Sequence, residues 1–143
     1  MFISSEFIDH GVVVIQEDAS KNQEALSVTR RGTMLDQPLI VLINKGSASA
    51  SEITAGALRD HGRAKLLGEN SFGKGTVQQA VDLDGGSSVH VSVDKWLTPN
   101  QTWVNHVGLK PDYLVPFDAS KSAKLVTKQL DNQLQAAIAE LLK

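Results

Sequence analysis

The run Leu39-Ile40-Val41-Leu42-Ile43 is the most apolar in the chain, and it limits the possible folds more than any other feature. Five bulky residues without alternation predict a central strand buried on both faces. Asp36-Gln37-Pro38 breaks the chain before it. Directly after it come Asn44-Lys45-Gly46-Ser47-Ala48-Ser49-Ala50-Ser51-Glu52, small residues that lead into a helix. Ile53, Ala57 and Leu58 give that helix an apolar stripe, and Gly62 lies just past its end, where a terminating glycine is expected. Ala64 to Gly68 read as a further short strand. A strand, a tight turn and a helix in this order predict an α/β domain.

The remaining segments fit around that unit. Phe2, Ile3, Phe7 and Ile8 are spaced like one face of a short helix, so the chain opens in mid-element. Gly11 stops it, and Val12 to Ile15 predict a buried strand. Residues 16–25 read as a loop, and Leu26 to Thr29 as a short edge strand. Glu69 to Gly75 form a loop with two glycines around Lys74. Asp84-Gly85-Gly86 predicts a hairpin turn between strands at 76–83 and 88–97. In the second of these Val89, Val91 and Val93 alternate with His90 and Ser92, which predicts one wet face. Gly108 to Val115 read as a loop that ends extended. Ala123, Val126, Leu130, Leu134, Ala137 and Leu141 recur at helical steps, predicting a closing helix over about 120–143.

A chain of 143 residues is enough for one hydrophobic core. The charge is balanced, 14 basic against 16 acidic residues, with no basic face, so a nucleic-acid partner is not expected. The absence of cysteine excludes disulfides, thiolate nucleophiles and Cys-based metal sites. No apolar run approaches the ~18 residues of a membrane span, and the first residues do not read as a signal peptide.

Chemistry concentrates at 39–61. A serine on a strand-to-helix turn presents its hydroxyl beside the first free N–H groups of the helix, which favour developing negative charge. That is the setting of a serine nucleophile. Ser47, Ser49 and Ser51 are equally good helix-capping residues, and the turn alone leaves both roles open. The histidines supply no obvious base. His61 lies near the far end of the helix, roughly 18 Å from Ser49 along its axis, and His90 reads as solvent-facing. No histidine spacing supports a metal site. Lys74, between two glycines and beside Phe72, is the remaining candidate. A lysine acts as a general base when desolvation brings its pKa from ~10.4 towards ~7–8. A surface lysine or an anion site would use the same three residues.

Taken together, Pro38 to Asn44, Ser47-Ala48-Ser49-Ala50-Ser51-Glu52-Ile53, Ala55-Gly56-Ala57-Leu58, Asp60 and Arg63-Ala64 strongly resemble the carboxy-terminal processing peptidases. So do Gly68, Ser71-Phe72-Gly73-Lys74-Gly75-Thr76-Val77-Gln78, Gly85-Gly86-Ser87, Thr98-Pro99 and Gly108-Leu109-Lys110-Pro111-Asp112. The match runs in order along nearly the whole chain. The resemblance implies a layered ClpP/crotonase-like α/β core and a serine endopeptidase that cleaves proteins near their C-termini through a Ser–Lys dyad. On this sequence the family's nucleophile falls on Ser49, its lysine base on Lys74, and the glutamine that orients the lysine on Gln78. The Ala50 N–H falls on one oxyanion contact. Asp60 matches an acidic position, but 11 residues along the helix from Ser49 it is expected to support the fold.

The resemblance also implies that residues 1–143 are the C-terminal part of the peptidase core, truncated on the N-terminal side and without a PDZ domain. The family's second oxyanion donor lies in a stretch not found here. Losing one such donor typically costs ~10²–10³ in kcat, so an impaired or inactive fragment is expected. No cofactor or metal is implied. The partners implied are protein or peptide substrates with unstructured C-terminal tails, and the location implied is extracytoplasmic, at the cell envelope. Exposed core edges make a homodimer or swapped assembly a further expectation. Two other readings stay open. One is a non-catalytic binding or assembly module of the same fold, the other a crotonase-like acyl-transfer enzyme, for which no acyl-CoA motif is present.

Overall fold

The computed structural model describes residues 2–118 and 131–143. The elements are α1 (Phe2–Ser5), β1 (Val12–Glu17), β2 (Gln23–Ser27), β3 (Ile40–Ile43), α2 (Ala50–Asp60), β4 (Lys65–Gly68), β5 (Thr76–Asp82), β6 (Ser88–Leu97), β7 (Tyr113–Leu114) and α3 (Asn132–Leu141). They form two sheets. Strands β3, β4 and β7 make a parallel sheet in the order β3-β4-β7. Strands β2, β1, β6 and β5 make an antiparallel sheet in that order.

The α/β reading holds, with one correction at its centre. Strand β3 is an edge strand among the described residues, and its Leu42 is 41% exposed. The central place belongs to β4, paired on both sides, with Leu66 and Leu67 fully buried. An unbroken apolar run shows that both faces of a strand can be buried, but not which neighbours it has. Strand β4 is also gripped from the end of the chain's long loop. The Leu66 N–H donates to Asp112 Oδ2 at 2.8 Å, and the Asp112 N–H donates to the Leu66 carbonyl at 2.8 Å.

The two hydrophobic clusters meet on β1. Val13 points to one and Val14 to the other, because successive strand residues face opposite ways. Helix α2 divides in the same manner, with Ala55 in the first cluster and Ala57 and Leu58 in the second. Full burial of one leucine is worth roughly 1.5–3 kcal/mol, so β4 and α2 anchor the region that carries the site.

The N-terminal stripe does not form one helical face. Helix α1 stops at Ser5; Phe2 and Ile3 are 71% and 67% exposed, whereas Ile8 lies buried in the turn that follows. Strands β1 and β2 reach into the segment read as a loop, to Glu17 and from Gln23, so only residues 18–22 connect them. Helix α3 starts at Asn132, capped by Asp131, which accepts from the N–H groups of Gln133 and Leu134 at 2.9 and 3.0 Å. The part of the expected closing helix over 120–130 lies outside the described residues. Among the described residues no helix is long and apolar enough to cross a membrane.

Candidate active site

The turn after β3 distinguishes its three serines. The Ser47 Oγ accepts the Asn44 N–H at 3.2 Å, and the Ser51 hydroxyl donates to the Ala48 carbonyl at 2.8 Å. Both hydroxyls are engaged in building the turn. Ser49 lines the neighbouring cleft instead. Its backbone has φ 53° and ψ −114°, a left-handed conformation that a non-glycine residue adopts at a cost of about 1–3 kcal/mol. Ser49 is the N-cap of α2 on this sharp turn, and Glu52 reaches back to its N–H as in a capping box. The next residue, Ala50, begins α2, and its N–H has no acceptor among the described residues.

The lysine loop is held by an unusually full set of bonds. The N–H groups of Gly73 and Lys74 donate to Glu52 at 2.7 and 2.9 Å. The Gly73 carbonyl accepts the His106 N–H at 2.9 Å. The Lys74 carbonyl accepts the Trp96 indole N–H at 2.8 Å. The Gly75 N–H donates to Asn105 Oδ1 at 3.1 Å. The Gly75 carbonyl accepts the Trp103 indole N–H at 3.0 Å and the Trp96 backbone N–H at 3.1 Å. Every backbone donor and acceptor of residues 73–75 is therefore paired. The glycines are there because the loop is pressed against residues 104–108. A Cβ on Gly73, whose φ is 87°, would lie 2.7 Å from the Gly108 nitrogen, and one on Gly75 would lie 2.8 Å from Asn105.

One carboxylate joins the turn to the loop. Glu52, with no solvent exposure, accepts the Ser49 N–H on Oε2 at 2.9 Å, beside the Lys74 N–H. Its Oε1 accepts the Gly73 N–H and, at 2.5 Å, the Ser71 hydroxyl. Ser71 in turn accepts the Leu109 N–H at 2.6 Å. All four partners of Glu52 are donors, so the side chain acts purely as an acceptor.

These supports bring Ser49, Lys74 and Gln78 to one cleft of about 420 Å³, which Trp96, Ile53 and His90 also line. Lys74 and Gln78 do not lie on one regular strand: β5 starts only at Thr76 and is bulged between Val77 and Gln78. Both side chains nevertheless reach the cleft. Ala50 stands beside it on a separate apolar groove that shares Gln16 and Ile53 with the cleft. Phe72 is 64% exposed and does not line the cleft, so its apolar wall comes from Trp96, Ile53 and Val77. Lys74 itself is exposed, so the described residues do not bury it as a lysine base would require. His61 is taken up elsewhere, its Nε2 lying 2.7 Å from the Val12 carbonyl. Asp60 accepts the Asn100 N–H at 3.0 Å and so ties α2 to the turn after β6. Among the described residues no group of His, Asp or Glu side chains could hold a metal ion.

Sequence reasoning missed Glu52, both tryptophans and His90. Glu three residues after Ser49 was a visible helix-start signal, but nothing local announced that its carboxylate would turn inwards.

The chain has known relatives. Residues 1–115 match peptidase family S41. The chain belongs to this family. It is 39% identical over 131 residues to the carboxy-terminal processing protease CtpA of Bacillus subtilis, a match covering 85% of this chain and 28% of that protein. Its structure is similar to that of a photosystem II D1 C-terminal processing protease, with a TM-score of 0.74 and 38% identity, covering 80% of this chain and 30% of the other. An S41 protease from Bacteroides fragilis, only 14% identical, shares the fold with a TM-score of 0.78 over 99% of this chain and 41% of the other. The S41 chain described here thus spans about a quarter of the length of the curated relatives it matches.

Proposed function

We propose that this S41 chain carries the reactive centre of a serine endopeptidase that cleaves proteins near their C-termini. Ser49 is the nucleophile and Lys74 its base. The observation that carries the reading is the shared acceptor: Glu52 fixes the backbone of Ser49 and of Lys74 at once, and both side chains line one cleft. As the free amine, Lys74 takes the Ser49 hydroxyl proton while Oγ attacks the peptide carbonyl carbon. The oxyanion accepts from the Ala50 N–H at the start of α2. As the carbonyl re-forms, the C–N bond breaks, and the Lys74 ammonium gives its proton to the leaving amine. Water, deprotonated by Lys74, then releases the acyl group from Ser49. Gln78 orients the Lys74 amine. Substrates are protein chains with unstructured C-terminal tails, and the site of action lies outside the cytoplasm, at the cell envelope, as the family resemblance implies.

The chain alone is a weak catalyst in this reading. Lys74 is exposed, and one free donor is available at the turn, where each further oxyanion donor is worth ~10²–10³ in rate. Acylation is therefore a better test than turnover. The chain is incubated with an activated peptidyl ester and followed by intact mass, with peptide mapping of the adduct. A single acyl group on Ser49 is expected, absent in Ser49→Ala and slowed at least ~10²-fold in Lys74→Ala. An unchanged adduct in Ser49→Ala would falsify the assignment.

A further inference from the structure

The cleft contains a side chain that the proposed chemistry leaves unused. His90 on β6 pairs with Ala80 on β5, two residues beyond the pair of Gln78 with Ser92. Residues two apart on a strand share a face, so His90 stands on the Gln78 side of the hairpin, about 7 Å further along it. It lines the same cleft as Ser49 and Lys74. Its side chain is exposed and makes no hydrogen bond among the described residues. Among the described residues lining the cleft, Lys74 and His90 are the titratable ones and none is acidic.

The charged groups around His90 are few. Lys74 lines the same cleft. Asp82, opposite Ser88, is its diagonal neighbour on β5. Asp94 stands four residues along its own strand and lines a different cavity with Glu17 and Lys21. Within the cleft a bound chain thus meets imidazole, ammonium and amide donors, and the Asp82 carboxylate lies outside its lining. Such a surface favours an anion over its neutral isostere, most strongly when the imidazole is protonated.

We propose that His90 is a specificity-determining residue, and that the cleft selects peptides carrying a carboxylate beyond the residue held at Gln78. The inference rests on the reading of this cleft as a peptide site. The carboxylate is either an acidic side chain or the free end of the substrate, and the chemistry of recognition is the same.

The test uses the Ser49→Ala chain and rhodamine-labelled peptides, with dissociation constants measured by fluorescence anisotropy at pH 5.5 and 8.0. One pair of peptides differs as Glu against Gln at an interior position, the other as a free acid against an amide at the C-terminus. One acid peptide is expected to bind about tenfold more tightly than its neutral partner at pH 5.5, with a smaller gap at pH 8.0. The pair that shows the gap identifies the carboxylate. His90→Asn should remove the gap. Equal binding of acid and neutral peptides at pH 5.5, or a gap that survives His90→Asn, overturns the inference and leaves the peptide site standing. Failure of all four peptides to bind overturns both.

Discussion

The loop at Gly73-Lys74-Gly75 and the hairpin arm formed by β5 and β6 are joined end to end, yet they are built on opposite terms. In the loop every backbone group has a partner and the surroundings are packed to van der Waals contact. In the arm the residues from Gln78 to Val93 are exposed, and Val81, Val89, Val91 and Val93 are each 41–46% open to solvent. The lysine loop is held by tertiary bonds from three separate segments, whereas the arm is held by its own ladder. Precision is concentrated where a proton would move, and tolerance where a chain would be gripped.

The strongest way to break this contrast is at Glu52. Glu52→Gln places an amide N–H₂ among four donors, and a buried donor left unmatched costs about 1–3 kcal/mol. We expect at least 3 kcal/mol of lost stability by urea denaturation, and a retained midpoint would show that the loop does not depend on its acceptor. Next come the indoles. Trp96→Phe and Trp103→Phe each remove one N–H from a loop carbonyl and should cost about 1–3 kcal/mol. Acylation of Ser49 should slow in both, more than the matching loss in Leu66→Val, a core change of similar size that touches no loop carbonyl.

A third effect is set by pH. Glu17, beneath the arm on β1, is bonded to the Lys95 ammonium at 2.8 Å and to the Gln23 amide at 2.8 Å. Chiefly the Lys95 bond, and then that of Gln23, holds its carboxyl down at about 2, from an ordinary 4.5. A lowered folded-state value means stability that is present above pH 4.5 and is lost as pH falls towards 2. Glu17→Gln should flatten the urea midpoint across that window, and a slope equal to that of the wild type would assign the acid sensitivity elsewhere. Lys95 also lies 5.3 Å from the centre of the Trp103 ring, so the same pair steadies one of the loop's two indoles. The smallest effect belongs to the arm itself. Val91→Thr should change the melting temperature by no more than ~0.5 kcal/mol of stability would, and a larger loss would mean that its open face is covered in solution.

The sequence was legible where neighbours in the chain decide the outcome. Asp84-Gly85-Gly86 turned the hairpin, Gly62 closed α2, and the small residues after Ile43 made the turn. The serine and lysine were legible as a motif, through resemblance, and the structure places them at one cleft. What was hidden depends on partners remote in sequence. The apolar run of β3 gave no sign that β4 would hold the centre. Glu52 looked like a residue of the helix start, and only packing against residues 71–74 turned it into their acceptor. The tryptophans lie 22 and 28 residues from the carbonyls they bind. His90 was rightly read as exposed, but exposure on a strand does not tell open water from the mouth of a cleft.

The carboxylate shared by Ser49 and the lysine loop gives the two halves of the site a common fate in time. The amide protons of Ser49, Gly73 and Lys74 all point at Glu52, so a motion that withdraws its carboxylate releases all three. In a hydrogen-exchange record they would open as one event, at a free energy set by the burial of Glu52. The proposed nucleophile and its proposed base thus depend on one and the same acceptor.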